Sequence, residues 1–221
     1  MITALTFPIL FWLLIGGTDP ANVDPDAVAP AGEPILIPLV SESRIWIEGS
    51  SNVNTFTCVA GTFDGEASAV STKQSTLLTS NHWEVHVEVP VQEMDCGQRR
   101  MNRDLQESLK AEKHPNIRFD YHRTLHVEPD IEWDHQIRLQ VEGNLEVAGV
   151  TRSIQFHATG TRTKEGSLKI EGEKPILMSD FSIDPPTGLL GLIRAHDQLT
   201  VHFRIVAKPA ARDGKPQATL F

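Results

Sequence analysis

The sequence predicts a mainly β domain of antiparallel strands, a barrel or a sandwich, with one inserted helix. Three observations predict it. Apolar residues recur at every second position through most of the stretch from residue 35 to 208. Turn dipeptides such as Ala148-Gly149 and Glu165-Gly166 separate the alternating runs. One run alone, Gln98 to Lys113, lacks Gly and Pro and switches to a helical spacing.

The elements follow in chain order. Ile45 and Ile47 alternate with polar neighbours in a first short strand. From His82 to Gln92, Trp83, Val85, Val87, Val89 and Val91 fall on one face, and His82, Glu84, His86 and Glu88 on the other. In the predicted helix 98–113, Met101, Leu105 and Leu109 stand four apart and form an apolar stripe, and Pro115 supplies the stop signal. Ile117, Phe119 and Tyr121 resume the two-residue period. Between Gln136 and Val147 the apolar set is Ile137, Leu139, Val141, Leu145 and Val147; Ile154 and Phe156, then Leu168 and Ile170, continue it. The last strand carries Leu199, Val201, Phe203 and Ile205 against Thr200, His202 and Arg204. Such alternation is what a strand needs when one side meets a core and the other meets water.

Composition narrows the function. Of 221 residues 40% are hydrophobic and 22% charged, ordinary globular values that exclude wholesale disorder. The formal net charge of -9 makes binding to a phosphate backbone a poor expectation. A transmembrane barrel would also alternate, but it needs aromatic girdles, and this chain is 6% aromatic with a single Tyr. No GxSxG, HExxH or phosphate-loop motif occurs, so no enzyme activity is expected, and no catalytic residue is assigned. His82 with His86, and His122 with His126, share strand faces but read as solvated residues; no metal or other cofactor is expected.

The ends read differently from the middle. Ile2 to Gly17 is almost wholly apolar, short for a membrane span, and fits the core of a secretory signal, although no Lys or Arg precedes it. The expectation is export, to the periplasm or beyond, with residues 1–17 as signal peptide or, uncleaved, as a membrane anchor. Residues 18–34 are Ala-, Pro-, Asp- and Gly-rich and read as a linker, 35–208 as the folded domain, and 209–221 as a flexible tail. In an exported protein Cys58 and Cys96 commonly form a disulfide; two buried thiols are the alternative. The helix carries Arg99, Arg100, Arg103, Lys110 and Lys113, which is either a solvated face balanced by Asp104, Glu107 and Glu112 or a docking surface for an anionic head group or membrane. Between Asp184 and Ile193, the apolar Leu189, Leu190, Leu192 and Ile193 suit either a plug for one end of the fold or a gate at its mouth.

The order of segments resembles the YceI-like domain, the family of bacterial polyisoprenoid-binding proteins. The resemblance rests on Ser43-Arg44-Ile45-Trp46-Ile47-Glu48-Gly49 followed by Gly61-Thr62-Phe63-Asp64-Gly65, and on the helix through Met101-Asn102-Arg103-Asp104-Leu105. It continues with His114-Pro115-Asn116-Ile117-Arg118-Phe119, Val141-Glu142-Gly143-Asn144-Leu145, Ala148-Gly149-Val150-Thr151-Arg152, and Ser179-Asp180-Phe181-Ser182-Ile183 before the last strand. It spans about Ser43 to Ala207. Two departures are the Cys58/Cys96 pair and the loop Asp184-Pro185-Pro186-Thr187-Gly188.

The resemblance implies a closed, lipocalin-like barrel of about eight strands around a polyisoprenoid lipid, an isoprenoid quinone or a prenyl phosphate. A membrane surface is a further expected partner; nucleic acid is not. The alternative is a filled barrel that acts as an envelope protein-interaction module without lipid. Taken from the apolar faces, the expected lining is Phe56, Phe63, Val85, Val87, Leu105, Leu109, Phe119, Leu139, Val141, Leu145, Ile154, Phe156, Phe181, Leu190, Ile193, Val201 and Phe203.

Overall fold

The computed structural model describes residues 34–38, 41–70, 83–127, 136–162, 167–188 and 191–208. The apolar leader, the linker before Pro34, the tail 209–221, His82, Leu189 and Leu190 lie outside them.

Twelve strands are present among these residues. The long ones are β2 (Arg44–Ser51), β3 (Thr55–Ala60), β4 (Asp64–Val70), β5 (Trp83–Pro90), β7 (Asn116–Val127), β8 (Gln136–Val147), β9 (Val150–Arg162), β10 (Leu168–Leu177) and β12 (Ile193–Ala207). The count exceeds the expected eight chiefly through short additions: β1 (Pro34–Pro38), β6 (Met94–Asp95) and β11 (Thr187–Gly188). All pairings are antiparallel, in the order β1-β4-β5-β7-β8-β9-β10-β12-β2-β3-β6, with β11 beside β12.

The sheet curls on itself. Register shifts between Tyr121 and Arg123, between Thr124 and His126, and between Ala195 and Leu199 mark bulges, which increase local twist and bend a strand. β8 alternates almost strictly between buried and less buried positions, as a strand with one face inward must. Among the described residues no ladder joins the two ends of the sheet; side chains meet there instead. Cys58 and Ala60 of β3 pack with Val89 of β5 and with Met94 of β6, whose ladder with β3 is continued by the Gly61 N–H donating to the Glu93 carbonyl at 2.7 Å.

The helix is shorter than its sequence pattern. α1 spans Arg99–Ser108, not 98–113. Leu109 caps it and Lys110 turns to φ 54°. The Ala111 N–H then reaches back to the Gln106 carbonyl and the Lys110 N–H to the Glu107 carbonyl, the paired bonds that satisfy the last carbonyls of a helix. A left-handed residue at that point redirects the chain, so composition alone overran the end. Arg99, Arg100, Arg103, Lys110 and Lys113 are all exposed, with Arg100 and Asp104 3.9 Å apart. No helix among the described residues is long and apolar enough to cross a membrane.

One end of the curled sheet is densely packed. Val91 and Leu109 meet Val147 of β8 and the 3-10 turn Met178–Phe181, where Phe181 is only 2% exposed. Asp197 fixes that turn: its carboxylate accepts from the Ser179 N–H at 2.8 Å and from the Ser179 hydroxyl at 2.6 Å. Those bonds hold the Asp197 carboxyl below the usual carboxylate range, the Ser179 hydroxyl being the larger cause.

Candidate binding cavity

The two-residue period has a direct consequence once the sheet curls: every apolar face points to the same interior. That interior is not filled. A cavity of about 240 Å³ lies within it, lined by side chains from β2, β4, β5, β7, β8, β9, β10 and β12.

From the expected set, β5 contributes Val85 and Val87, and β8 contributes Leu139, Val141 and Leu145. Ile154 and Phe156 come from β9, Val201 and Phe203 from β12, and Phe119 from β7. The rings form a chain across the interior: Phe119 meets Phe156 edge-on at 5.7 Å, and Phe156 meets Phe203 at 5.3 Å. Two glycines make room for them. A Cβ on Gly143 would come within 2.6 Å of the Phe119 ring, and one on Gly172 within 2.6 Å of Phe203, so glycine lets each ring lie flat over its neighbouring strand.

Six residues of the expected set stand elsewhere. Leu109 and Phe181 belong to the packed end, and Leu105 bridges that cluster to the one around Cys58. Phe56 and Phe63 pack against Cys58 and Met94 at the meeting of the sheet ends. Alternation placed them on the apolar faces, but the cluster around Cys58 takes up that surface. Ile193 pairs with Gly188 in the small β11–β12 ladder and does not line the cavity; Leu192 beside it is 75% exposed. The end-plug position is therefore held by the 3-10 turn with Ile183, not by the described part of 189–193. Leu190 lies outside the described residues.

Sequence reasoning missed other lining residues. Ile45, Ile117, Tyr121, Leu168, Ile170 and Ile205 share the parity of chosen neighbours and could have been read from it. Ala67, Ala158 and Ala207 carry too little hydrophobic signal to stand out. The polar members were also missed. Tyr121 and Thr124 bond hydroxyl to hydroxyl at 3.0 Å, and Lys174 is the one lining residue with a formal charge. Lys174 shares parity with Leu168 and Ile170, so the period placed it inward although its chemistry argued otherwise.

Outside the cavity, Cys58 and Cys96 are joined in a disulfide that ties β3 to the segment before α1. The Cys96 N–H donates to Asn102 Oδ1 at 2.8 Å, which anchors the start of the helix to the same point. On the outer face His86 Nδ1 lies 2.6 Å from Asp120 Oδ1, and Arg118 Nε donates to Glu88 Oε1 at 2.7 Å. The bonds from Arg118 and then Asn116 hold the Glu88 carboxyl below its ordinary range. Among the described residues no three His, Cys, Asp or Glu side chains converge as metal ligands would.

Known structures share this architecture. BcnA from Burkholderia cenocepacia superposes with a TM-score of 0.57 at 16% identity, covering 75% of this chain and 96% of its own. A domain from Saccharophagus degradans described as polyisoprenoid binding gives 0.60 at 13% identity, covering 79% and 98%. The YCEI protein of Campylobacter jejuni gives 0.50 at 16% identity, covering 70% and 85%. At these identities the likeness is one of fold. No curated protein sequence matches the chain. The profile of the YceI-like domain matches residues 40–207, from just before β2 through the end of β12, and on that match the chain belongs to the YceI-like domain family.

Proposed function

We propose that this protein is an exported binding protein, without catalytic activity, that holds the apolar chain of a polyisoprenoid lipid inside the curled sheet. The observation that carries the reading is the unfilled cavity of about 240 Å³ with an almost wholly hydrocarbon lining. Side chains in a finished core leave few voids larger than a water molecule. A void of this kind has too few polar partners to hold water well and favours an apolar guest. Each methylene moved into it from water gains about 0.8 kcal/mol before ordering costs. Binding of this type needs no reacting group. The Saccharophagus degradans domain, described as polyisoprenoid binding, has the same fold and supports an isoprenoid as the guest. The apolar leader Ile2 to Gly17 supports export, with periplasmic or secreted protein, or protein anchored by an uncleaved leader, as its destination.

The test is to express the full chain with its own leader, purify it without detergent, and extract it into organic solvent for mass spectrometry. A co-purifying prenyl quinone or prenyl phosphate in near-stoichiometric amount is the expected result. Repeated recovery of lipid-free protein that also fails to take up added prenyl lipid would sink the proposal.

A further inference from the structure

Among the described residues, one residue that lines the cavity, Lys174, has a formal charge, and it has no counter-ion. Lys174 sits on β10 at an inward position, flanked along its own strand by Gly172 and Ile176 and paired across the ladder with Val201 of β12. The carboxylates of the same strand point the other way. Glu171 pairs with Lys169 at 2.8 Å and with Arg204, and Glu173 lies 3.3 Å from His202 Nδ1, all on the outer face. Among the described residues no hydrogen-bond acceptor or carboxylate partners the Lys174 ammonium.

Its position along the strand is also distinctive. The β9–β10 ladder ends at Ala158 and Gly172, whereas the β10–β12 ladder continues to Leu177 and Gln198. Lys174 therefore lies two residues past the point where β9 and β10 part, at a lateral seam in the sheet. A guest that fills the cavity would shield this ammonium from water on its inner side. A neutral hydrocarbon would leave the charge desolvated and unpaired, which is strongly unfavourable. A guest ending in an anion would pair it with a charge-assisted bond instead.

We infer that Lys174 is the head-group contact of the cavity, and that the ligand is an apolar chain ending in an anionic group, of the prenyl monophosphate type, with its anion at the β9–β10 seam. This rests on the proposed lipid-binding function and narrows it: the seam sorts guests by head-group charge, while the hydrocarbon lining accepts the tail.

The experiment separates the two claims. Binding of farnesyl monophosphate and of farnesol, which share a tail, is measured by isothermal titration on the full chain, on Lys174→Met and on Lys174→Arg. The unaltered protein is expected to prefer the phosphate by at least roughly tenfold. Lys174→Met should bring the two affinities together, by weakening binding of the phosphate and strengthening that of farnesol, and Lys174→Arg should retain the preference. Equal affinities in the unaltered protein, or an undiminished preference in Lys174→Met, overturn the head-group assignment and leave the cavity reading in place. Failure of both probes to bind overturns the cavity reading itself.

Discussion

Filling the cavity should raise stability, and that sign distinguishes it from a packed core. Val85 is the site of choice: it lines the cavity, its ladder with β7 ends at His86, and its neighbour on β4 is the small Ala67. Val85→Phe adds four carbons. At about 0.8 kcal/mol for each buried methylene the ceiling is about 3 kcal/mol. Part of the ring will still face empty space, so a gain of about 1–2 kcal/mol is expected. For a domain of this size that is a Tm rise of roughly 2–8 °C. The same ring takes up volume that the prenyl tail needs, so farnesol affinity should fall by at least roughly tenfold. Thermal unfolding by circular dichroism and titration of farnesol read the two effects on one preparation. In an already filled core the added ring would overpack and destabilise by about 1–3 kcal/mol. A lowered Tm with unchanged farnesol binding would therefore refute both the vacancy and its role.

Two further perturbations test what holds the cavity open. The Cys58–Cys96 bridge closes a loop with a sequence separation of 38, so replacing both cysteines by Ala should cost about 4 kcal/mol, read as a lower midpoint in urea unfolding; an unchanged midpoint would argue that the β3–β6 ladder and the surrounding side-chain cluster alone fix the segment before α1. The Asp197 carboxyl, held below its usual range by Ser179, stabilises the 3-10 turn while it is ionised. That contribution is complete above the ordinary value of 3.8 and fades as the pH falls through the lower folded value. The Tm gap between the unaltered protein and Asp197→Asn should therefore be widest near neutral pH and close in acid, and a gap independent of pH would assign the turn to packing alone.

The strands and their inward faces were legible because a two-residue period survives any curvature of the sheet. Val85, Val87, Leu139, Val141 and Val201 could be chosen as lining from parity alone. What parity cannot tell is where along a strand the interior is hollow and where it is plugged. Leu109 and Phe181 are as apolar as Leu139 and Phe156, yet the Met178–Phe181 turn folds into one end and buries them. Phe56 and Phe63 were chosen from the apolar faces as well, but they pack with the cluster where β3 meets β5 without a ladder, and that gap is closed by side chains. The helix end was misread for a local reason: nothing about a lysine at 110 announces a left-handed turn. Lys174 was passed over because a charge contradicts a greasy face, although such contradictions are where a site is to be sought.

A vacancy of this size is not a neutral feature of a fold. At about 24 cal/mol per Å³, the slope measured for cavities left by core truncation, about 240 Å³ corresponds to about 6 kcal/mol of forgone packing. That is comparable with the whole stability of many domains. The remainder of the molecule is built as such a deficit requires: a dense cluster around Phe181 at one end, a disulfide tying β3 to the segment before α1, and three aromatic rings across the interior, two of them over glycines. A guest that fills the void returns the missing contacts and stabilises the folded state by mass action. The same logic explains why the charge sits at the seam and not in the middle. At the point where β9 and β10 part, Lys174 would meet an anion when the cavity is full, so the bound state does not strand an unpaired ammonium in hydrocarbon.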